Sequence, residues 1–405
     1  MKRLLFYCQH ILGIGHLIRS MEIVKGLTKD FQICFINGGE AVNNLPIPKG
    51  VEVIQLPPLK TDKEFSELQL PPGFDSLETV FDSRRQQMLT ILERFQPDVL
   101  MIELFPFGRR RFSPELIPLI EAARDRGTKI VSSLRDIVVT KQDQARHEAK
   151  VCKLINQYFD LLLIHGDSQF MPLERSFSRI ADLNCPVHYT GYVVQSESSQ
   201  SFRRSKYRTV HQSPLPTILT SVGGGRFGHE LLDCVAQASI YLEGLIPHHI
   251  QMFTGPFSPN TIHDYFQSFA TLRPNLTVER YTPNLMAHMR QADLSINMGG
   301  YNTTLNVLKT RVRCMLLPFT GNGDQEQTIR AERLEEMGIV SVIRANDLHP
   351  QRLAQRIVNY LRTQPSSIQL DLNGVAQTAQ ILRDFTATPI ASVMAPTSEL
   401  TVPKI

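Results

Sequence analysis

The 405-residue sequence has no run of 18 apolar residues, so nothing in it reads as a membrane span. It has no CxxC pair. The six cysteines (Cys8, Cys34, Cys152, Cys185, Cys234 and Cys314) lie far apart, which excludes a zinc ribbon or a thioredoxin-type motif. Most sit in apolar surroundings, so buried free thiols and a cytoplasmic chain are the simplest expectation. Charge of one sign is also scarce. Lys and Arg number 43 against 39 Asp and Glu, a net +4, which is too weak an excess to make nucleic acid the main partner. Tryptophan is absent, which excludes nothing. The opening MKRLLFYCQH mimics a secretory leader, but Gln9 and His10 interrupt its apolar stretch and no small-residue cleavage site follows. A first strand is expected there instead.

With 42% hydrophobic and 20% charged residues, the chain has a globular composition, and its length suits two or three domains. Short apolar runs alternate with helical spacing twice over. The first series runs from Arg3–Cys8 to Val187–Tyr189, the second from Thr217–Val222 to Gly374–Asp384. Such alternation predicts parallel sheets with helices on both faces. Between the series lies a polar, Ser-rich and partly basic stretch from Gln195 to Pro216. The expected division is residues 1–200, residues 201–375, and a terminal helix with a loose tail over 376–405. Residues 57–75 are Pro-rich and read as a surface loop.

Two glycine turns fall between a strand and a helix. One holds Gly13 and Gly15, followed by His16; the other holds Gly223, Gly225 and Gly228. A helix N-terminus offers unpaired N–H groups and the positive end of a dipole, and glycine lets a ligand approach. The second turn matches the dinucleotide fingerprint, but the next strand ends Gln251-Met252-Phe253-Thr254 with no acid for a ribose. The first turn has Ile18 where a third glycine would stand, although Glu40 follows its second strand. Tight packing is the competing explanation for both turns.

A denser constellation occupies 297–335. Asn297 ends a strand, Gly299 and Gly300 turn the chain, and Asn302, Thr303 and Thr304 open a helix. Backbone N–H groups, hydroxyls and a helix dipole make a cradle for a diphosphate. One strand later, Gln325, Glu326 and Gln327 open another helix at the same sheet edge, where polar side chains can read sugar hydroxyls. Elsewhere, Arg109-Arg110-Arg111 beside Pro106-Phe107-Gly108 reads either as a solvated loop or as a contact for an anionic membrane or phosphorylated acceptor. Arg135-Asp136 reads as an internal ion pair or an acceptor contact.

These motifs carry a resemblance. Residues 217–340, and above all GGYNTT and QEQTIRAERL, resemble the donor domain of GT-B glycosyltransferases. They are similar to the N-acetylglucosaminyltransferase group of peptidoglycan lipid II synthesis and a branch of its bacterial relatives. GIGHLIRSMEIVKGL, PDVLMIELFPFGRRRF, SLRDIVVTKQ and TSVGGGRFGHELL extend the resemblance from residue 3 to about residue 362. It implies a GT-B architecture of two Rossmann-like, doubly wound domains facing a cleft. It also implies a nucleotide-sugar, a UDP-sugar such as UDP-N-acetylglucosamine, as substrate with no separate cofactor. Gly300, Asn302, Thr303 and Thr304 would hold the diphosphate, faced by Gly224, Gly225 and Arg226. Tyr281 and Thr282 would present backbone to the base, and Gln325, Glu326 and Gln327 would face the sugar.

Gly13 and Gly15 would form the acceptor loop. His16 would lie beside the reacting centre, suited as a base by its ordinary pKa. Glu103, at the end of a strand, reads as the base in place of His16, as an acceptor-orienting group, or as a surface residue. No DxD occurs, so a metal-bridged diphosphate is not expected and helix dipoles would stabilise the leaving group. One departure stands out: Asn306 occupies the place where such enzymes usually carry a ribose-binding Glu, so a charge-assisted bond is missing. Arg311 and Arg313 also stand where Gly and Pro are common. The expected activity is inverting transfer of a sugar to a hydroxyl of a lipid-linked or small-molecule acceptor, with at most peripheral membrane contact at the inner face. The competing functions are a UDP-sugar 2-epimerase, which would need several carboxylates in the cleft, and a catalytically inert nucleotide-sugar-binding protein.

Overall fold

The computed structural model describes residues 1–11, 14–42, 46–61, 67–139, 143–196, 215–321, 325–366 and 369–387. Gly13, most of the Ser-rich stretch and the tail expected beyond 387 lie outside these residues. The first domain contains β1 (Lys2–Cys8), α1 (Gly15–Leu27), β2 (Phe31–Asn37), β3 (Val51–Gln55), β4 (Lys60–Thr61), β5 (Leu68–Gln69), α2 (Leu77–Phe95), β6 (Val99–Glu103), α3 (Ser113–Asp125), β7 (Lys129–Arg135), α4 (Gln144–Tyr158), β8 (Leu161–His165) and β9 (Val187–Tyr189). The second contains β10 (Thr217–Ser221), α5 (His229–Glu243), β11 (His249–Phe253), α6 (Asn260–Thr271), β12 (Leu276–Glu279), α7 (Leu285–Gln291), β13 (Leu294–Met298), α8 (Tyr301–Thr310), β14 (Cys314–Leu317), α9 (Glu326–Glu336), β15 (Ser341–Val342) and α10 (Pro350–Leu361). A final helix, α11 (Gly374–Ala387), follows. Helix α6 is an addition to the elements expected above, although Ile262, Phe266 and Phe269 do repeat at helical spacing. The stretch expected to be all loop, 57–75, carries the small β4–β5 hairpin.

Both main sheets are parallel and doubly wound. Their strand orders are β3-β2-β1-β6-β7-β8-β9 and β12-β11-β10-β13-β14-β15. The strands are apolar on successive residues because both faces are covered. Along β1, Leu5 and Tyr7 enter the core under α2 and α3, while Leu4, Phe6 and Cys8 enter the core under α1. All six cysteines are buried free thiols. No helix among the described residues is long and apolar enough to cross a membrane.

In each sheet the winding direction reverses at one place, between β1 and β6 and between β10 and β13. Loops leaving the carboxyl ends of these strands splay apart there, and open α/β sheets bind ligands in that crevice. His16 follows β1, Glu103 ends β6, Gly223–Gly225 follow β10 and Gly299–Gly300 follow β13. All four groups therefore arrive at the two reversal points.

The domains share a core. Ile137, Phe170, Met171, Tyr192 and Val194 of the first pack with Leu219, Phe253, Tyr301 and Leu305 of the second. After α10 the chain returns to the first domain. Tyr192 N donates to Asp371 O at 2.7 Å, Gly374 N donates to Tyr192 O at 3.1 Å, and α11 lies along α1. Ala379 and Leu382 complete the core under α1. Gly26 permits this close approach, since a Cβ there would stand 2.1 Å from Val375 Cγ1. Helix α11 is thus a layer of the first domain, although it follows the second in sequence. Leu382→Ala is expected to lower stability by about 2–5 kcal/mol in urea unfolding, the usual cost of emptying a buried Leu site. A loss below about 1 kcal/mol would place α11 outside the cooperative core.

Candidate active site

His16 is the second residue of α1, and Glu103 ends the neighbouring strand across the reversal point. His16 Nδ1 and Glu103 Oε1 are 2.6 Å apart. Arg19, one turn along α1, also donates to Glu103 Oε1. Glu103 is wholly buried, whereas His16 lines the cleft. Burial holds the imidazole well below its ordinary pKa, against the opposing charge of Glu103. Burial alone would raise Glu103, but His16 and Arg19 override it and hold the carboxyl below its usual range. The pair at neutral pH is therefore a neutral imidazole supported by a carboxylate. With Nδ1 engaged, Nε2 is the ring nitrogen left for a ligand.

On the other side, α8 begins at Gly300 with no side-chain cap and no acid in its first turn. The amides of Tyr301, Asn302 and Thr303 precede the first intrahelical bond, from Thr304 N to Gly300 O. A Cβ on Gly300 would meet nothing within 4 Å, so the space over this helix end is open. Asn302 Nδ2 donates to Gly15 O at 3.2 Å, which joins the two helix N-termini across the cleft. Asn302 and Thr303 line the cleft. Thr304 is buried and directs its hydroxyl to Gly299 O at 3.4 Å, away from the cradle.

Gly225 has φ +81°, and a Cβ there would stand 2.3 Å from Thr254 O. Packing therefore dictates that glycine; Gly224 and Gly225 both line the cleft, Gly224 beside Phe257. Arg226 lies over the Phe257 ring and reaches Glu40 of the first domain at 3.2 Å. Lys60 holds the same carboxylate at 2.8 Å. Tyr281 is exposed and Thr282 accepts from Asn284 N; both line the cleft. Asn306 is buried on α8 beside the cleft, donates to Gln195 Oε1 at 3.1 Å, and has a buried Oδ1 with no partner among the described residues. Gln327 lines the cleft and accepts from Phe319 N at 3.0 Å, whereas Gln325 is exposed outside the lining. Arg311 caps the C-terminus of α8 at φ +56°, a conformation that favours glycine.

Glu326 is bound from both domains. Arg135 meets it at 2.9 and 2.7 Å, and Arg330 at 2.8 Å. Arg330 forks onto Asp136 at 3.0 and 2.8 Å, and Tyr192 donates to the same carboxylate at 2.9 Å. Arg135 and Asp136 are therefore neither a pair with each other nor free acceptor contacts, because each pairs across the domain boundary. Tyr301 lies within reach of both the Arg19 and Arg330 guanidiniums, 5.2 and 5.1 Å from its ring centre, and its hydroxyl donates to His165 O at 2.9 Å. Arg19, Tyr301 and Arg330 were absent from the sequence-derived site. Their only local signal was their place beside His16, Gly300 and Glu326.

The cleft encloses about 1850 Å³. Among the described residues, nine Arg and Lys side chains and two Glu line it. The first-domain wall mixes arginines with apolar residues, Ile11, Leu104, Phe107 and Phe112 among them. Such a cleft can hold an anionic group at the uncapped helix end and bring a proton acceptor to its other side.

Comparison with known proteins bears on the fold and the family. Residues 219–380 match the Glycosyltransferase family 28 C-terminal domain. A UDP-N-acetylglucosamine--N-acetylmuramyl-(pentapeptide) pyrophosphoryl-undecaprenol N-acetylglucosamine transferase of Prochlorococcus marinus is 28% identical over 101 residues, covering 25% of this chain and 28% of that protein. The transferase of the same name from Thermotoga maritima is 21% identical over 257 residues, 61% of this chain and 65% of that one. The chain thus aligns with between about a quarter and two thirds of the length of these relatives. The crystal structure of MurG from Acinetobacter baumannii superposes with a TM-score of 0.56 at 16% identity, covering 96% of this chain and 99% of that one. The chain has the GT-B fold.

Removing Arg330 would leave the buried Asp136 carboxylate with only a tyrosine hydroxyl. Arg330→Ala is expected to cost about 3–5 kcal/mol in chemical denaturation, as for other broken buried ion pairs. A loss under about 1 kcal/mol would mean that the domains do not depend on this contact.

Proposed function

We propose that the protein is a hexosyltransferase-type glycosyltransferase. It would move a sugar from a nucleotide-sugar to a hydroxyl acceptor with inversion and without a metal ion. The observation that carries this reading is the His16–Glu103 pair standing next to the uncapped start of α8, joined to it by the Asn302–Gly15 contact. The nucleotide diphosphate is assigned to the N–H groups of Tyr301–Thr303, with Gly224 and Arg226 opposite. Asn306 Oδ1, buried and unpartnered, suits one ribose hydroxyl. The names of the curated relatives favour a UDP-sugar, with UDP-N-acetylglucosamine first, and a lipid-linked acceptor.

In the reaction the acceptor oxygen attacks the anomeric carbon from the face opposite the diphosphate. The bond from that carbon to the phosphate oxygen breaks, and its electron pair leaves with the nucleoside diphosphate. The hydroxyl proton passes to His16 Nε2, while Nδ1–H donates to Glu103, which steadies the imidazolium. The helix end and its N–H groups meet the charge that develops on the leaving group. Glu103 is buried away from the cleft behind His16, so it is a positioning residue in this scheme. An epimerase would need free carboxylates, and of the two Glu lining the cleft Glu326 is already bound by two arginines.

Release of nucleoside diphosphate from UDP-, GDP- and dTDP-sugars tests the reading, with turnover expected for a UDP-sugar. Binding without turnover, with or without added acceptors, would favour the inert reading. His16→Ala is expected to lower kcat by about 10²–10⁴-fold with UDP affinity retained. Because burial keeps the imidazole deprotonated, kcat/KM should stay level as pH falls from neutrality through about 6.5, the ordinary histidine value. A fall centred on that value would contradict the assignment.

A further inference from the structure

Tyr301, which opens α8, has two separate surroundings. Its N–H is the first of the three amides at the open helix end, while its side chain is buried in the core that the two domains share. The hydroxyl donates to His165 O at the end of β8, at 2.9 Å. Burial pushes the phenol above its usual pKa range, so it stays protonated and does not act as a base at neutral pH.

Two guanidiniums lie over the ring of Tyr301. The central carbons of Arg19 and Arg330 stand 5.2 and 5.1 Å from its centre. Both arginines are buried, and each has one N–H with no acceptor among the described residues, Nε of Arg19 and Nη1 of Arg330. A buried donor without an acceptor is costly. The negative face of the ring offsets that cost, because its quadrupole attracts a desolvated cation.

The remaining bonds of these arginines lead to the two charged centres of the cleft. Arg330 holds Asp136 and Glu326. Arg19 holds Glu103, on the same oxygen that meets His16 Nδ1. The second oxygen, Glu103 Oε2, is buried and has no partner among the described residues. Two groups therefore hold the carboxylate, and one of them is the imidazole that the carboxylate itself orients. An orienting group needs an anchor of its own, and Arg19 is that anchor.

We propose that the Tyr301 ring positions the His16–Glu103 pair through Arg19, so that a side chain of the second domain completes the catalytic pair carried by the first. This deepens the proposed function and rests on His16 being the base there. One residue then serves both sides of the reaction, with its amide toward the diphosphate and its ring behind the base. The pair is fully held only when α8 is seated against α1, which is the seating that Arg330 and Asp136 enforce.

Nitrogen NMR of the His16 ring in the full chain tests this without turnover, the signal being assigned by its loss in His16→Gln. The native ring is expected to carry its proton on Nδ1. Tyr301→Leu removes the π face and should populate the Nε2–H form, whereas Tyr301→Phe should return the ring to the native tautomer. Tyr301→Leu should also lower kcat by about tenfold, with the Kd for UDP changed by less than about threefold. Because the effect runs through Arg19, adding Tyr301→Leu to Arg19→Gln should leave kcat within about twofold of Arg19→Gln alone. If the leucine or glutamine variant does not fold, replacing Tyr301 by a trifluorinated phenylalanine keeps the shape of Phe but withdraws charge from its face. Relative to Tyr301→Phe it should populate Nε2–H and lower kcat by about threefold. A tautomer indifferent to leucine or to fluorine would overturn the proposal and leave the ring as core packing. So would a Tyr301→Leu loss that persists in full beside Arg19→Gln. If no nucleotide-sugar is turned over, the glycosyltransferase reading falls, and the His16 ring still decides whether Tyr301 positions it.

Discussion

Arg330 stands on the second domain and forks onto Asp136 of the first, while Glu326, one turn earlier on the same helix, is held by Arg330 and by Arg135 from across the boundary. Four charged groups are thus taken largely out of water together, and each is paired with an opposite charge. Asp136 gains a further donor from Tyr192, and Tyr301 lies beneath the guanidinium. Desolvating such groups is costly, so the arrangement persists only in a geometry that pairs their charges. That geometry sets where α8 and α9 sit against α1. It brings Asn302 to Gly15, and so places the uncapped helix end beside His16. The apolar cluster shared by the domains supplies attraction without direction. The charged cluster supplies the direction.

Within the cleft the same economy of charge applies at shorter range. The reversal points of two parallel sheets deliver backbone N–H groups on one side and a histidine on the other. Among the described residues the lining carries an excess of arginine and lysine, in a chain whose overall charge is nearly balanced. Most of the acids nearby are committed to a cation. Glu103 is the clearest case: it is buried, tied to His16 and Arg19, and kept ionised. Its service is to fix the imidazole and its tautomer, since a carboxylate there accepts from Nδ1–H and leaves Nε2 open.

Much of this was legible in the sequence, and for a physical reason. Strand–helix alternation and glycine turns are local signals, so the two parallel domains and the turns at Gly15, Gly223–Gly225 and Gly299–Gly300 could be read from spacing. His16 and Glu103 could be placed near the cleft because each follows or ends a strand. What escaped was set by contacts between distant residues. Arg330 and Asp136 lie far apart in the chain, and nothing in QTIRAERL says that its arginine faces another domain. Arg135-Asp136 looked like one unit and proved to be two halves of two different pairs. Helix α11 read as an appendage, because its apolar face has a partner only once the chain has returned to α1. Thr304 and Gln325 followed their motifs in sequence but turn away from the cleft. A helix start presents some side chains to the ligand and directs others back to its own backbone or to solvent.

The central claim is that a nucleotide diphosphate lies between the Gly223–Gly225 loop and the start of α8, facing His16. A structure of the protein with bound UDP tests it most directly. The account predicts phosphate oxygens on the N–H groups of Tyr301, Asn302 and Thr303, with His16 Nε2 exposed to the space beside them. UDP bound elsewhere, or a diphosphate held away from α8, would contradict it.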